Sequence, residues 1–211
     1  MADRNYSYHD FEQVDPPHQH LYLQLILDYF AADKQIRRIL DAGCGDGNFA
    51  ASMAQGGVGE MYGIDLSAGG IAKATQKYPD IHFVEGSVYD DFSVLCGVPS
   101  FDAIVCIDVI EHLYSPRQFV RRAYAALRPG RILIVTTPYW GYLKNLVLAI
   151  TNRIDRALTS LWEGGHIKHW SYRTLRTLLT EQVFAFVAFH GAGRKIPYLW
   201  SSMVMVVRKP V

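Results

Sequence analysis

Short apolar runs alternate with stretches of helical periodicity along most of the chain. Arg38-Ile39-Leu40-Asp41, Met61-Tyr62-Gly63-Ile64-Asp65, Ile81-His82-Phe83-Val84, residues 101–107 and residues 132–135 each read as a strand. The run 101–107 is almost entirely apolar, as a strand covered on both faces should be. Helical patterns fall between these runs. Residues 18–31 place Leu21, Leu25, Leu27 and Phe30 beyond the Pro16-Pro17 break. Residues 48–55 follow a glycine-rich loop, and Ser67 caps a further helix whose Gly69-Gly70 pair costs about 1 kcal/mol per residue against Ala. Ser115-Pro116 joins an N-cap to a proline at the first helical position. The helix it opens carries Phe119, Val120, Ala123 and Leu127 and stops at Pro129-Gly130. Ser171 caps a helix with Leu175, Leu178 and Leu179 on one face, and closing strands at 183–189 and 203–207 are predicted to form a hairpin around the 190–201 loop. Strands alternating with helices predict βαβ units and a mostly parallel, doubly wound α/β sheet.

The stretch 139–165 breaks this rhythm. Leu143, Leu146, Val147, Ile150, Ile154, Leu158 and Leu161 recur at helical spacing, while Lys144, Asn145, Asn152, Arg153 and Arg156 fall mostly elsewhere on the wheel. The pattern predicts an amphipathic insertion after the fifth strand. Either it packs on the sheet, or it is a substrate lid that touches a membrane through Trp140, Trp162 and its basic residues. The chain reads as a single domain, 1–211, with an N-terminal cap-helix region at 1–34 and this insertion at 139–165.

Composition narrows the function classes. The chain has 211 residues, 50% hydrophobic and 19% charged, enough apolar content for one folded core and too much for a disordered chain. Lys plus Arg is 21 against 20 for Asp plus Glu, a formal net charge of +1, which gives no push toward nucleic acid. Cys44, Cys96 and Cys106 match neither a zinc spacing nor a disulfide framework and read as reduced core thiols of a cytoplasmic protein. No signal-peptide run opens the chain, and no stretch reaches the roughly 18 consecutive apolar residues of a membrane span. A soluble protein is expected, with peripheral membrane contact through 139–165 left open.

The densest chemistry is Ile39-Leu40-Asp41-Ala42-Gly43-Cys44-Gly45-Asp46-Gly47. A buried strand ends in a carboxylate, glycine follows at every second position, and a helix begins. Glycines let the backbone approach a ligand closely, and the helix end offers unpaired N–H groups. A second carboxylate, Asp65, ends the next strand, where doubly wound sheets read a ribose diol. A dinucleotide site wants Gly-x-Gly-x-x-Gly, but position 48 is Asn, and Asp41 and Asp46 would oppose a pyrophosphate. A cofactor with a cationic amino-acid tail and no phosphate, such as S-adenosylmethionine, suits these carboxylates better.

On these residues the sequence resembles the class I S-adenosylmethionine-dependent methyltransferases. The resemblance covers residues 35–137 and more loosely the whole chain. It implies a Rossmann-like, seven-stranded sheet with an antiparallel last strand. Asp41-x-Gly43-x-Gly45-x-Gly47 is similar to the family's first motif, so Asp41, Gly43, Cys44 and Gly45 are implied cofactor contacts. Asp65, with Leu66 beside it, matches the ribose-binding acid; Gly86-Ser87-Val88 matches the adenine loop; Cys106-Ile107 falls where members contact the methionyl part. Leu127-Arg128-Pro129-Gly130 resembles the motif before the fifth strand. In related enzymes the N-terminal region caps the cofactor, which makes Tyr6, Tyr8 and His20 pocket candidates and leaves His9 and His18 nearby.

Asp108-Val109-Ile110-Glu111-His112 closes the fourth strand, at the sheet edge where open α/β folds bind ligands. His suits proton transfer near neutral pH, and two carboxylates with a His can hold a divalent cation. The alternative is a purely structural role, with an acid at a helix start and a His bonded to backbone. The run is similar to the Glu-x-x-Glu-His of the ubiquinone-biosynthesis O-methyltransferases and of the small-RNA 2′-O-methyltransferases. In the latter the run holds a divalent metal together with a downstream His. The resemblance implies catalytic roles for His112, His166 and Glu111, and a divalent cation such as Mg on Asp108, Glu111, His112 and His166, with His169 as substitute. His82 and His190 read as partly buried strand residues. The insertion resembles that of the ubiquinone-pathway enzymes, where it serves membrane and substrate access. Pro197-Tyr198-Leu199-Trp200 and Tyr139-Trp140 are candidates to line an apolar acceptor pocket.

The expected activity is O-methylation of a small, apolar or lipid-linked hydroxylated molecule. The rivals are a metal-assisted RNA 2′-O-methyltransferase using Arg121, Arg122, Arg128 and Arg131, a non-catalytic domain that keeps the fold, and a nicotinamide-dependent oxidoreductase weakened by Asn48.

Overall fold

The computed structural model describes residues 19–158, 160–161, 164–181, 184–194 and 196–211. Tyr6, Tyr8, His9, His18, Trp162, the first residue of the strand expected at 183 and the side chain of His20 lie outside the described residues. The elements run α1 Gln19–Ala32, β1 Arg38–Ala42, α2 Asn48–Gln55, β2 Glu60–Asp65, α3 Ala68–Lys77, β3 His82–Glu85, α4 Phe92–Cys96 and β4 Phe101–Ile107. A single 3-10 turn at Ile110–His112 follows, then α5 Pro116–Ala126, β5 Leu127–Pro138, α6 Tyr142–Ile150, α7 Ile154–Leu158, α8 Tyr172–Thr180, β6 Ala185–Ala192 and β7 Ser202–Arg208.

The strands form one seven-stranded sheet in the order β3-β2-β1-β4-β5-β7-β6. β1 to β5 pair in parallel, and β7 is antiparallel to both β5 and β6, so the terminal hairpin expected from the sequence is present. The strand order reverses between β1 and β4, which opens a crevice above their carboxyl ends. β4 is buried along its whole length. Its alternate side chains feed two cores: Ile104 and Cys106 join Phe92, Phe119 and Leu175 on one face, and Ala103, Val105 and Ile107 join Tyr22, Ile26 and Phe49 on the other.

Three local readings are corrected. Leu127 does not end α5; it is buried and already pairs with Phe101 as the start of β5. The Pro129-Gly130 break is absorbed as a bulge within that strand, with Gly130 at φ 77° donating its N–H to Lys209 O. α4 was not anticipated, because five residues are too few to show periodicity; Asp91 caps it, and Gly97 at φ 66° ends it. The insertion is two short helices rather than one, broken at Asn152, whose φ is 52°. Neither α6 nor α7 buries a residue, and Tyr142 and Ile150 are strongly exposed. Among the described residues no helix is long and apolar enough to cross a membrane.

Candidate active site

The loop from β1 to α2 lies against the end of β2. Gly43 N and Cys44 N both donate to Ile64 O, at 2.8 and 3.0 Å. Gly43 has φ 90°, and a Cβ there would run into Val109 Cγ2, so both conformation and space require glycine. Gly45, at φ 56°, donates its N–H to Asp65 Oδ2 at 3.0 Å, while Ser67 N donates to Asp65 Oδ1 at 2.8 Å. These two bonds orient the Asp65 carboxylate, and each oxygen keeps lone-pair capacity for a ligand. Asn48 earns its place by bonding: its amide donates to Asp46 Oδ2 and its carbonyl accepts from Lys77 Nζ and the Tyr78 hydroxyl. A glycine at 48 could do none of this.

Gly86 N donates to Asp65 O at 2.9 Å, which brings the loop after β3 beside the same carboxylate. Ser87 Oγ accepts from Tyr89 N, and Ser87 N donates to Asp90 Oδ2, so the loop is held by its own turn and Val88 packs partly buried behind it. Leu66 is exposed, Cys44 is buried with its thiol pushed up by burial, and Cys106 and Ile107 lie in the two cores.

Asp41 is the unusual group. It is buried, and neither carboxylate oxygen has a hydrogen-bond partner among the described residues. Burial, then the charge of Asp65, push it up to about 7. A raised carboxyl pKa means the folded state holds the proton more tightly than the unfolded chain. Stability is therefore fully present below the ordinary value of 3.8 and falls as pH rises toward 7. Asp41→Asn is expected to flatten that decline and to raise ligand-free stability by a few kcal/mol above neutral pH. Urea unfolding at a series of pH values checks this; identical profiles for the two proteins would overturn it.

The second half of the site follows β4. Asp108 adopts a left-handed backbone, φ 52°. Thr136 Oγ1 accepts from its N–H and donates to its Oδ1, both at 3.0 Å. Burial raises the Asp108 carboxyl to about 6, and the hydroxyls of Thr136 and Tyr22 oppose the rise. Glu111 is 1% exposed; Thr137 Oγ1 donates to its Oε2 at 2.9 Å, and burial with the nearby Asp108 charge lifts its pKa well above the carboxylate range. Glu111 O accepts from Ile167 N and Lys168 N, which docks the loop before α8 onto the 3-10 turn. That docking brings His166 edge-on to His112, with ring centroids 5.0 Å apart, and sets His166 Nε2 3.9 Å from Glu111 Oε1. Burial lowers His112, against hydrogen bonds to the backbone of Gly165 and Gly164. Burial, then His112, His169 and Lys144, lower His166 to about 4, so it is neutral at physiological pH.

Glu111, His112 and His166 thus each offer a ligand atom, all within 4.8 Å of one another. Asp108, grouped with them on sequence, is outside this cluster and turned toward Thr136 and Tyr22. His169 instead packs tilted against Trp140, with ring centroids 4.5 Å apart. His190 is bonded to the Tyr29 hydroxyl and His82 stacks on Tyr62. The sequence reading missed Tyr22, Thr136 and Thr137. Strand alternation signals only that the threonines are near the core, and nothing local marks Tyr22. Of the arginines named for an RNA groove, Arg128 and Arg131 pair with Asp102 and Asp33 near the start of β5, at the opposite end of that strand from Thr137, and Arg122 donates to Tyr89 O in the loop after β3.

A family model described as a methyltransferase domain matches residues 14–188. The chain belongs to the class I S-adenosylmethionine-dependent methyltransferases. A ubiquinone biosynthesis O-methyltransferase of Xanthomonas campestris pv. campestris is 34% identical over 120 residues, which is 53% of this chain and 48% of that protein. One of the same description from Ralstonia nicotianae is 27% identical over 173 residues, covering 78% of this chain and 66% of the relative. The chain spans about half the length of the first of these. Among solved structures, magnesium protoporphyrin IX methyltransferase of Synechocystis PCC 6803 with bound SAH superposes with a TM-score of 0.68 at 17% identity, covering 99% of this chain and 90% of that one. A TehB-like SAM-dependent methyltransferase of Corynebacterium glutamicum gives 0.62 at 18% identity, covering 89% and 88%.

The residues present fit the family's cofactor. Asp65, oriented by two backbone N–H groups, and Asp41, without a hydrogen-bond partner among the described residues, flank the glycine cradle, which suits a ligand with a cationic tail.

Proposed function

We propose that the protein methylates a hydroxyl group of a small acceptor, with S-adenosylmethionine as donor. The observation that carries this reading is the cluster of Glu111, His112 and His166, with ligand atoms within 4.8 Å of one another, at the carboxyl edge of the sheet that also bears the glycine cradle. When bound, the donor supplies an electrophilic methyl on a sulfonium. Asp65 would hold its ribose, the 43–45 backbone its amino-acid end, and the Ser87–Val88 loop its adenine. Displacement at that methyl needs alignment more than acid chemistry, and the crevice walls provide it. A hydroxyl acceptor must also lose a proton. His166 Nε2 and Glu111 Oε1 are 3.9 Å apart, so one acceptor oxygen can touch both. His166 takes the proton, and the resulting imidazolium faces the Glu111 carboxyl. The exposed apolar side chains of α6 and α7, beyond the same sheet edge, favour an apolar or lipid-linked acceptor.

A second reading rests on the same three ligand atoms. Two imidazoles and one carboxylate suit a divalent transition metal better than Mg, and a cation there would acidify the acceptor hydroxyl without a base. Methyl transfer to a panel of phenols, catechols and alkylated phenols, with and without EDTA, separates the two. Undiminished turnover in EDTA is expected for the base. Loss in EDTA with recovery on adding one cation supports the metal. Transfer to amines with no hydroxyl methylated overturns O-methylation.

A further inference from the structure

Lys144, in the first turn of α6, is a half-buried cation with no carboxylate partner among the described residues. Its Nζ donates to Tyr139 O at 2.7 Å and Ser201 O at 3.2 Å and lies 5.3 Å from the centre of the Trp140 ring. Tyr139 follows β5 and Ser201 precedes β7, so the ammonium stands over the β5–β7 edge, one strand along from the Glu111–His166 pair. Trp140 N donates to Trp170 O at 2.9 Å and Trp170 Nε1 to Ile110 O at 3.4 Å, which ties this corner to the 3-10 turn that carries Glu111. Two carbonyls and the face of Trp140 are the contacts of the ammonium among the described residues, and none of them is anionic. Charge does not compensate it either, since the neighbouring charge that acts on it is another cation, Arg194. Burial without a counter-ion pulls the ammonium down to about 8.

A second donor beside it is also uncompensated. Trp140 Nε1 is buried with no hydrogen-bond partner among the described residues, although its ring touches both Lys144 and His169. The buried acceptor alongside, Asn145 Oδ1, is likewise unpartnered. A half-buried cation with no carboxylate partner and a buried N–H with no acceptor, both among the described residues, are costly alone, and one anionic oxygen group relieves both.

We propose that Lys144 and Trp140 Nε1 form an anion-binding subsite of the acceptor pocket, so that the acceptor carries a carboxylate as well as its reactive hydroxyl. This rests on the reading of the Glu111–His166 edge as the acceptor site and names the class of molecule that enters it. The carboxylate of such an acid pairs with the Lys144 ammonium and accepts from the indole N–H at the edge of the Trp140 ring. Lys144 is a specificity residue here and leaves proton transfer to His166.

The test is calorimetric titration of the full chain, saturated with S-adenosylhomocysteine, with protocatechuate and with its primary amide. The pair differs in charge and hardly in shape. The acid is expected to bind at least about tenfold tighter than the amide. Lys144→Met should reduce acid affinity to that of the amide while S-adenosylhomocysteine still binds as in the parent, and Lys144→Arg should keep most of the preference. Lys144→Gln, which retains a donor for the Tyr139 and Ser201 carbonyls without the charge, serves if the Met variant no longer folds; it too should lose the preference. Trp140→Phe should weaken the acid and spare the amide. Equal affinity for acid and amide, a preference that survives loss of the Lys144 charge, or a protein that binds S-adenosylhomocysteine but no acid would each overturn the proposal. Charge-dependent binding of the acid without its methylation would leave the subsite standing and sink O-methylation instead.

Discussion

Gly45→Val is expected to weaken S-adenosylmethionine binding by more than about a hundredfold. Gly45 sits at φ 56°, where an L-residue costs roughly 1–2 kcal/mol and a β-branched one more. Its N–H also holds Asp65 in place, so a shift of the loop misaligns the carboxylate proposed to hold the ribose. Gly57→Val is the control. It has φ 73° in the turn after α2, and an added Cβ there meets nothing within 4 Å. That variant carries the same kind of backbone cost away from the crevice and should bind the cofactor as the parent does. Calorimetry on both proteins separates lost stability from lost cofactor. A Gly45→Val protein that binds within about threefold of the parent would show that residues 41–47 are not the cradle.

His166→Ala should show the complementary behaviour: unchanged cofactor affinity and a turnover lower by about 100- to 1000-fold, the range over which positioned bases act. The pH profile carries a second expectation. Burial, reinforced by His112, His169 and Lys144, holds His166 at about 4. The base is then unprotonated from about pH 6 upward, and the log of turnover should be flat there for the parent rather than rising through an ordinary histidine pKa. Single-turnover measurement with the best acceptor from the hydroxyl panel provides both readouts. Turnover within about threefold of the parent would remove His166 from the mechanism.

Much of this molecule was written locally. The alternation of apolar strands and capped helices predicted the βαβ order and the terminal hairpin, because strand and helix periods depend on neighbours only a few residues apart. The glycine loop and Asp65 were legible for the same reason: a left-handed turn at the end of a buried strand demands glycine whatever surrounds it. Errors fell where distant contacts overrule local preference. Leu127 joins β5 because Phe101 pairs with it, although its own neighbours continue the helical pattern. The split at Asn152 has a local cause instead: a left-handed residue whose N–H bonds Ala149 O ends α6, where the apolar spacing alone ran on unbroken.

The cofactor side of this protein was therefore determined by its sequence, since one continuous segment and the end of the adjacent strand supply it. The acceptor side was decided by tertiary structure. His166 meets Glu111 because backbone bonds from Ile167 and Lys168 dock its loop on the 3-10 turn, and that same docking excludes Asp108, which Thr136 had already engaged. Tyr22 reaches the site from α1, and among the described residues the segments flanking β5 and β7 present carbonyls to Lys144 rather than carboxylates. Burial and charge depend on what the fold brings near in space, and residue spacing along the chain does not encode them.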